Sequence, residues 1–120
     1  MLFVMDEKSA SKALRALGHE ARLHVFRLLV QAGKEGLNVG QIGDHVGIAP
    51  STLSHHLKAL CDAGLVIQEK RSREVVSYVD FPLMDGLLAY MTEACCLGVP
   101  EIGTDQSASK TDPSHLETVD

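Results

Sequence analysis

Residues 39–66 read VGQIGDHVGIAPSTLSHHLKALCDAGLV, and this stretch decides the fold that the sequence predicts. Its first apolar residues are Val39, Ile42 and Val46. Steps of three and four place them on one face of a helix, which Gly47 is expected to end. Pro50 suits the first turn of a second helix, because a first-turn residue has no intrahelical N–H bond to lose, and Ala49 or Ser51 would cap that helix. The stretch therefore predicts two short helices joined by a tight turn.

The second helix has one apolar and one polar side. Its apolar stripe is Leu53, Leu57 and Leu60. The residues that we expect to contact DNA lie in the first turn and around the other side: Ser51, Thr52, Ser54, His55 and Lys58. In helix-turn-helix proteins this end enters the major groove, where hydroxyl and imidazole groups reach base edges and amides reach phosphates. Two helices with a short turn also occur in other compact helical domains, so the neighbouring segments decide between the two interpretations.

The composition is that of one small domain. The chain has 120 residues, of which 45% are hydrophobic, enough for a modest core but not for a second domain. Its net charge of −5 first argues against a nucleic-acid partner. The charge is unevenly spread, however, because residues 99–120 hold five acidic residues and one basic residue. We therefore divide the chain into a domain at 1–98, which can present a locally basic face, and a flexible acidic tail at 99–120.

The membrane and cysteine patterns indicate a cytoplasmic protein with reduced thiols. No stretch approaches the roughly 18 apolar residues that span a bilayer, and the initial LFVM lacks the length and the basic residues of a signal peptide. Three cysteines, two of them adjacent, do not suit a disulfide framework. They are candidate ligands or redox sensors: Cys61, Cys95 and Cys96.

Two helices are predicted before the central stretch. The first covers residues 6–17 and ends at Gly18. It is amphipathic, and its apolar side is Ala10, Ala13, Leu14 and Leu17. The second runs from His19 to Lys34 and has apolar residues around most of its circumference, which predicts a central helix that is buried on most sides.

After Gly64 the pattern changes to β-forming residues. The segments LVIQEK and VVSYV flank a turn at Lys70–Glu74 and predict a two-stranded hairpin. The cations at its tip are Lys70, Arg71 and Arg73. After a recognition helix, such a hairpin is the wing of a winged helix, and its cations are placed to contact phosphates. A charged turn is also common as a plain solvated loop, and the hairpin alone does not decide between these interpretations.

A last helix is predicted at residues 81–97, with Asp80 as its N-cap, Pro82 in its first turn and Gly98 after its end. Its apolar stripe is Met84, Leu87, Leu88, Met91 and Cys95. A terminal helix with such a stripe needs a cover, and together with the first helix it would form the interface of a two-fold homodimer. Two-fold symmetry would place two recognition helices about one DNA turn apart, roughly 34 Å.

The order of these elements over residues 8–97 resembles the ArsR/SmtB family of metal-responsive repressors. The residues that carry the resemblance are STLSHHLKALCDAGLV at 51–66, ALGHEARLHVFRLLV at 16–30 and REVVSYV at 73–79. The resemblance implies a mainly α winged helix-turn-helix with a two-stranded β wing, in a homodimer that occupies an operator and leaves it when an inducer binds. It also implies that Ser51, Ser54 and His55 read the bases.

Members of the family place their inducer sites in different helices, and one of these patterns matches. The Cys-Val-Cys of the first motif helix is replaced here by Asn38–Gly40, and the aspartate and histidine pattern of the last helix is absent. The segment TEACC, residues 92–96, resembles the vicinal-cysteine site of an arsenic-responsive branch, although the further cysteine that is common there is missing. The resemblance thus implies As(III) or Sb(III) as inducer at Cys95 and Cys96, and no organic cofactor.

The chemistry of the cysteine pair leaves alternatives open. On a helix, Cys95 would continue the apolar line, and Cys96 would be an incidental neighbour about 100° away. A helix C-terminus without nearby cations disfavours free thiolates, whereas a soft cation that replaces the thiol protons suits both sulfurs. A third ligand could come from Cys61 elsewhere in the dimer or from an external thiol, and methylated As(III) would need only two thiols. Cys61 is equally explained as a surface residue.

These observations predict a cytoplasmic transcriptional repressor that binds double-stranded operator DNA as a homodimer and is released by As(III) or Sb(III). A thiol redox or reactive-sulfur sensor of the same fold is the alternative among regulators. A winged-helix protein-interaction module without a DNA role is the alternative outside them. We do not predict an enzyme, because no phosphate-cradling loop or activated nucleophile is visible.

Overall fold

The structure is a computed structural model that describes residues 5–101. Its helices are α1 (Glu7–Leu17), α2 (Glu20–Ala32), α3 (Val39–Val46), α4 (Pro50–Asp62) and α5 (Phe81–Thr92). Its strands are β1 (Leu37–Asn38), β2 (Val66–Arg71) and β3 (Glu74–Val79). The predicted acidic tail lies outside the described residues from position 102 onward. No helix of the described part is long and apolar enough to cross a membrane.

Helix α1 begins and ends close to the predicted positions and buries its alanines. The Asp6 carboxylate accepts a hydrogen bond from the Ser9 amide at 2.8 Å and caps the helix, which ends at Gly18. The buried residues are Ala10, Ala13 and Ala16. Leu14, of the predicted apolar side, is 40% exposed in one protomer. Leu14 lies about 100° around the helix from Ala13, and the alanine stripe faces the core instead.

Helix α2 is less buried than its apolar circumference predicts. Its fully buried residues are Val25, Phe26 and Leu29. Leu23 is exposed, so the expectation of a helix buried on most sides was wrong for a single protomer. The helix ends at Ala32, before the predicted Lys34, because Gly33 has a φ of 73° and leaves the helical conformation. One 3-10 turn, Gly33–Glu35, follows it.

Helices α3 and α4 confirm the predicted helix-turn-helix. Asn38 and Gln41 form a capping box at the start of α3, and Gly47 ends that helix in the left-handed conformation. Ala49 is the N-cap of α4 and Pro50 its first residue. Four apolar residues of the pair are fully or almost fully buried, namely Ile42, Leu53, Leu57 and Leu60, whereas Val39 and Val46 are half-buried. The core therefore holds one side of α4 and leaves its other side in solvent.

The wing is an antiparallel hairpin of β2 and β3, as predicted, but its turn is shorter than the predicted Lys70–Glu74: Lys70, Arg71 and Glu74 belong to the strands, and Ser72 and Arg73 form the turn. Its register pairs Val66 with Val79 at the base and Arg71 with Glu74 at the tip. Strand β1 adds a third, two-residue strand, which pairs Leu37 with Ser77 of β3. The sequence analysis missed β1 because two residues are too few to show alternation.

Helix α5 starts as predicted but ends five residues early. The Asp80 carboxylate accepts a hydrogen bond from the Leu83 amide at 3.1 Å, which confirms the N-cap. The helix ends at Thr92 rather than at residue 97. The backbone after Thr92 leaves the helical conformation, since Ala94 and Cys96 have positive φ values of 59° and 65°. The helical placement of the two cysteines was therefore wrong.

The predicted apolar stripe of α5 is largely uncovered in one protomer. Leu87 is its one fully buried member. Leu88 and Met91 are 56% and 57% exposed. These side chains form an exposed apolar surface on α5. Helix α1, which α5 contacts, also carries an exposed apolar residue, Leu14.

Candidate nucleic-acid interface and thiol site

The exposed side of α4 carries all of the predicted DNA-contact residues of the helix-turn-helix. Each of them is exposed: Ser51, Thr52, Ser54, His55 and Lys58. The opposite side is fixed in the core by the leucine stripe, so the polar residues face outward together. No side chain caps the N-terminus of α4, which leaves its first-turn amides open to an anion. Hydroxyls, an imidazole and open amides at one helix end can bind both base edges and phosphates.

Lys58 also makes a surface ion pair. Its Nζ lies 3.1 Å from Oδ2 of Asp62, one turn further along α4, and both side chains are mostly exposed. Exposed pairs of this kind contribute only about 0–1 kcal/mol. A phosphate can therefore replace the Asp62 carboxylate as the partner of Lys58.

His56 of α4 is buried, so the expectation that it is a capping, surface or DNA-contact residue was wrong. Its side chain is 7% exposed, and its ring centroid lies 4.7 Å from that of His19, the N-cap of α2. Burial lowers the pKa of His56, and the nearby His19, Arg22 and His55 lower it further. The sequence contains a sign of this burial. His56, Leu57 and Leu60 follow Leu53 by three, four and seven residues, so His56 lies on the same face of the helix as the leucines.

Arg22 connects His56 to the first two helices. Its Nε donates to Nδ1 of His56 at 3.4 Å, and its Nη1 donates to the carbonyl oxygen of Ala16 at 3.3 Å. One guanidinium of α2 thus contacts the end of α1 and the buried side of α4. This contact helps to hold α4 against the body of the protein.

The three cations of the wing have different surroundings. Lys70 and Arg73 are exposed, and neither has an ion pair with another described residue. Arg71, by contrast, forms an ion pair with Glu69 and hydrogen bonds to the backbone that follows α2. Lys70 and Arg73 are therefore free to contact a partner at the hairpin tip, whereas Arg71 is bound to other residues of the same chain.

Cys95 and Cys96 are both exposed, in the turn that follows α5. Their Sγ atoms lie 3.0 Å apart. The hydrogen bond with Cys96 raises the pKa of Cys95, and desolvation raises it further. The pair is therefore an accessible dithiol whose two sulfurs are close enough to bind one atom.

Cys61 has a different environment from the pair. It is half-buried near the end of α4, and burial and the Asp62 carboxylate raise its pKa. Within residues 5–101, no three or more His, Cys, Asp or Glu side chains are arranged to hold a metal ion. A single protomer therefore does not join Cys61 to Cys95 and Cys96, and its contribution from elsewhere in a dimer stays a prediction.

Comparison with known proteins agrees with this architecture. A helix-turn-helix domain family matches residues 17–69. An uncharacterized HTH-type transcriptional regulator of Bacillus subtilis, YceK, is 38% identical over 68 residues, which cover 57% of this chain and 67% of the relative. The relative is a regulator rather than an enzyme.

Solved structures share the fold. An ArsR-like transcriptional regulator from Rhodococcus superposes with a TM-score of 0.63 at 21% identity, covering 72% of this chain and 77% of its own. A homodimeric winged helix-turn-helix DNA-binding domain from Mycobacterium bovis, a possible ArsR-family transcriptional regulator, superposes with a TM-score of 0.57 at 22% identity, covering 78% of this chain and 92% of its own. The chain thus belongs to the helix-turn-helix transcriptional regulators and has the winged-helix fold of the ArsR family.

Proposed function

We propose that this regulator is a repressor that binds operator DNA as a homodimer and is released when As(III) or Sb(III) binds Cys95 and Cys96. The observation that carries the inducer proposal is the 3.0 Å separation of the two exposed sulfurs. Membership of the arsenic-responsive branch remains a prediction, which rests on the resemblance of the segment TEACC to the vicinal-cysteine site of that branch.

The proposed DNA contacts divide into two groups. Ser51, Thr52, Ser54 and His55 stand at the N-terminal end of α4 and would contact base edges and the adjacent backbone. Lys58, Lys70 and Arg73 are exposed cations and would contact phosphates. Two protomers related by two-fold symmetry would present these groups to successive major grooves, about 34 Å apart. The uncovered apolar residues of α1 and α5 support the homodimer, as does the homodimeric state of the Mycobacterium bovis domain.

The chemistry of the dithiol supports a soft cation rather than a reactive thiolate. The raised pKa of Cys95 keeps this thiol protonated near neutral pH and disfavours spontaneous nucleophilic attack. A thiophilic ion would replace the protons, and with bonds of about 2.3 Å, the length typical of zinc–thiolate bonds, at a roughly tetrahedral angle, the two sulfurs would lie about 3.8 Å apart. The present separation of the two sulfurs requires only a small adjustment of side chains.

Inducer binding can reach the DNA-binding surface through α5. The cysteines follow the end of α5 by three and four residues, and Leu88 and Met91 occupy its last turns. An ion held by both sulfurs would order the turn and displace the end of α5 at the proposed dimer interface. A change in the spacing of the two α4 helices would follow, and such coupling is typically worth about 1–3 kcal/mol.

The third ligand distinguishes arsenite from its methylated form. As(III) in arsenite takes a third ligand, which an external thiol or Cys61 of the dimer would supply. Methylarsenite has two exchangeable positions, which matches the two thiols in the turn. Titration of the reduced protein with both compounds tests this point, and equal or better release by arsenite would contradict a preference for the methylated form.

The experiment follows the fluorescence anisotropy of a labelled duplex, selected from a random-sequence pool by the wild-type protein, with and without As(III). We expect release of the wild type, and continued binding without release for the C95S/C96S double variant. Cys61→Ser tests the source of the third ligand: an unchanged response to As(III) would assign that ligand to an external thiol, and a weaker response would assign it to Cys61. Loss of DNA binding in the double variant would indicate a structural role for the pair. Release by an oxidant but not by As(III) would favour the thiol redox or reactive-sulfur sensor.

A further inference from the structure

Arg71 is the last residue of β2, and its partly exposed side chain makes polar contacts with other residues of the same chain. Its Nε donates to Oε1 of Glu69 at 3.0 Å, and its Nη2 lies 2.9 Å from the same oxygen. Nη1 donates to the carbonyl oxygen of Glu35 at 3.0 Å, and Nη2 donates to that of Lys34 at 3.4 Å. Every nitrogen of the guanidinium therefore has an acceptor.

These contacts join two parts of the chain that are distant in sequence. Lys34 and Glu35 belong to the 3-10 turn between α2 and β1, whereas Arg71 ends β2. The guanidinium also lies over the ring of Tyr78 in β3, with Cζ 5.4 Å from the ring centroid, a cation–π geometry. Arg71 thus contacts both strands of the hairpin and the body of the protein.

A second contact fixes the other strand at the same rung. Glu74 pairs with Arg71 across the hairpin, and its Oε1 accepts a hydrogen bond from Nδ2 of Asn38 at 2.8 Å. Asn38 is the N-cap of α3, the first helix of the helix-turn-helix. The outer end of the wing is therefore attached to the body on both strands, immediately beside the exposed Lys70 and Arg73.

We propose that Arg71 is a positioning residue, which fixes the wing against the body so that Lys70 and Arg73 reach the DNA backbone, and that it does not itself bind a phosphate. The inference rests on the proposed DNA binding and replaces the expectation that all three wing cations contact DNA. The side chain is 41% exposed, but each guanidinium nitrogen already donates to a carbonyl oxygen or a carboxylate, so a phosphate would have to compete with these acceptors for Arg71. The planar fork of arginine matches these acceptors, which lie in different directions, and a lysine ammonium does not.

Arg71→Lys separates the two roles, because a phosphate contact needs the charge and positioning needs the fork. We expect Arg71→Lys and Arg71→Ala to weaken binding of the selected duplex by a similar factor, about tenfold, one unit of log K. DNA affinity within about twofold of the wild type for Arg71→Lys, together with a clear loss for Arg71→Ala, would overturn the proposal.

A mutant cycle with the exposed cations gives a second test. The K70A/R73A variant should lower the salt dependence of log K by about 0.9 per lost phosphate contact. Adding Arg71→Ala to that variant should change affinity by less than about twofold, because a positioning residue acts through the two cations that are already absent. A further tenfold loss with a further decrease in the salt dependence would identify Arg71 as a phosphate ligand.

Hydrogen exchange without DNA tests the attachment separately from the proposed function. Arg71→Ala should accelerate exchange of the β2 and β3 amides, while K70A/R73A should leave their exchange unchanged. Unchanged exchange in Arg71→Ala would overturn the positioning role even if DNA binding were affected. Accelerated exchange in Arg71→Ala, with no effect of K70A/R73A on DNA affinity, would contradict the proposed role of the wing in DNA binding and, with it, the inference.

Discussion

Nε of Arg22 donates a hydrogen bond to Nδ1 of His56 over 3.4 Å and thereby links α2 to the buried side of the helix that we assign to DNA. An imidazole nitrogen that accepts a hydrogen bond carries no proton, so this contact requires neutral His56. Burial favours the same neutral form. The docking of α4 is therefore sensitive to the protonation of one histidine.

We predict that the protein loses stability as the pH falls below about 6.5, the ordinary pKa of histidine. The folded-state pKa of His56 is lower, so the unfolded chain takes up the proton first and the free energy of unfolding decreases. The contribution of His56 is complete above the unfolded-state pKa and is lost as the pH falls towards the folded-state value. Urea unfolding between about pH 7.5 and pH 5.5 measures this slope.

His56→Asn tests the assignment, because the amide oxygen of asparagine can accept the hydrogen bond from Arg22 but does not titrate in this range. Its free energy of unfolding should depend less on pH than that of the wild type. His55→Asn is the comparison on the exposed side of α4 and should keep more of the wild-type slope than His56→Asn, because it removes only the smallest of the causes that lower the pKa of His56. Equal slopes in all three proteins would show that His56 does not cause the effect.

Arg22→Met should destabilise the protein by about 1–3 kcal/mol, because two hydrogen bonds from a charged group are lost. It should also raise the pKa of His56, since the positive charge of Arg22 contributes to lowering it. NMR titration of the imidazole signals measures the shift directly. A decreased or unchanged pKa would mean that the guanidinium does not act on His56 as the geometry indicates.

The periodicity of the sequence was sufficient for the helix-turn-helix, the wing and the starts of the helices. Apolar spacing identified the buried leucines of α4, and turn chemistry identified Gly47, Pro50 and Asp80 as boundary residues. These features are local, since a glycine or a cap acts within a few residues of its own position. They can therefore be predicted from the sequence of one chain, without knowledge of its tertiary contacts.

Other features depend on contacts that periodicity does not contain. The end of α5 at Thr92 is one example, because an apolar stripe that continues through Cys95 suggests a longer helix than the backbone forms. The contacts of Arg71 with the carbonyls of Lys34 and Glu35 are another, since more than thirty residues separate the partners. In both cases the sequence indicated that the residues are candidates for function, but it did not show which parts of the protein surround them.

Gly36→Ala should be strongly destabilising, because the glycine combines a positive φ of 67° with close packing against β3. A Cβ at this position would lie 2.4 Å from the carbonyl oxygen of Ser77 and 2.7 Å from Cγ1 of Val76. We expect a loss of about 3 kcal/mol or more in the free energy of unfolding, since the backbone must shift.

Gly47→Ala is the control for the backbone conformation alone. Gly47 has a φ of 69°, and a Cβ there would meet no atom within 4 Å. Its substitution should cost only about 1 kcal/mol, the typical cost of the left-handed conformation for an alanine. Urea unfolding compares the two variants, and equal losses would show that contact with β3 is not the reason for Gly36.

Leu88→Glu should convert the proposed homodimer into monomers without unfolding the protomer. Leu88 is 56% exposed, so the substitution removes little packing within one chain, whereas in the dimer it would bury two carboxylates, one from each protomer. Only about half of the roughly 1.5–3 kcal/mol of a fully buried leucine remains to be gained at Leu88, and this loss, counted in both protomers as about 2–3 kcal/mol, would weaken the dimer about 100-fold. Sedimentation velocity across a concentration series measures the dissociation constant. Val75→Glu, on the exposed surface of the wing, is the matched control and should leave association unchanged. If Leu88→Glu sedimented like the wild type, α5 would not form the interface, and the proposed path from the cysteines to the DNA-binding helices would lose its central step.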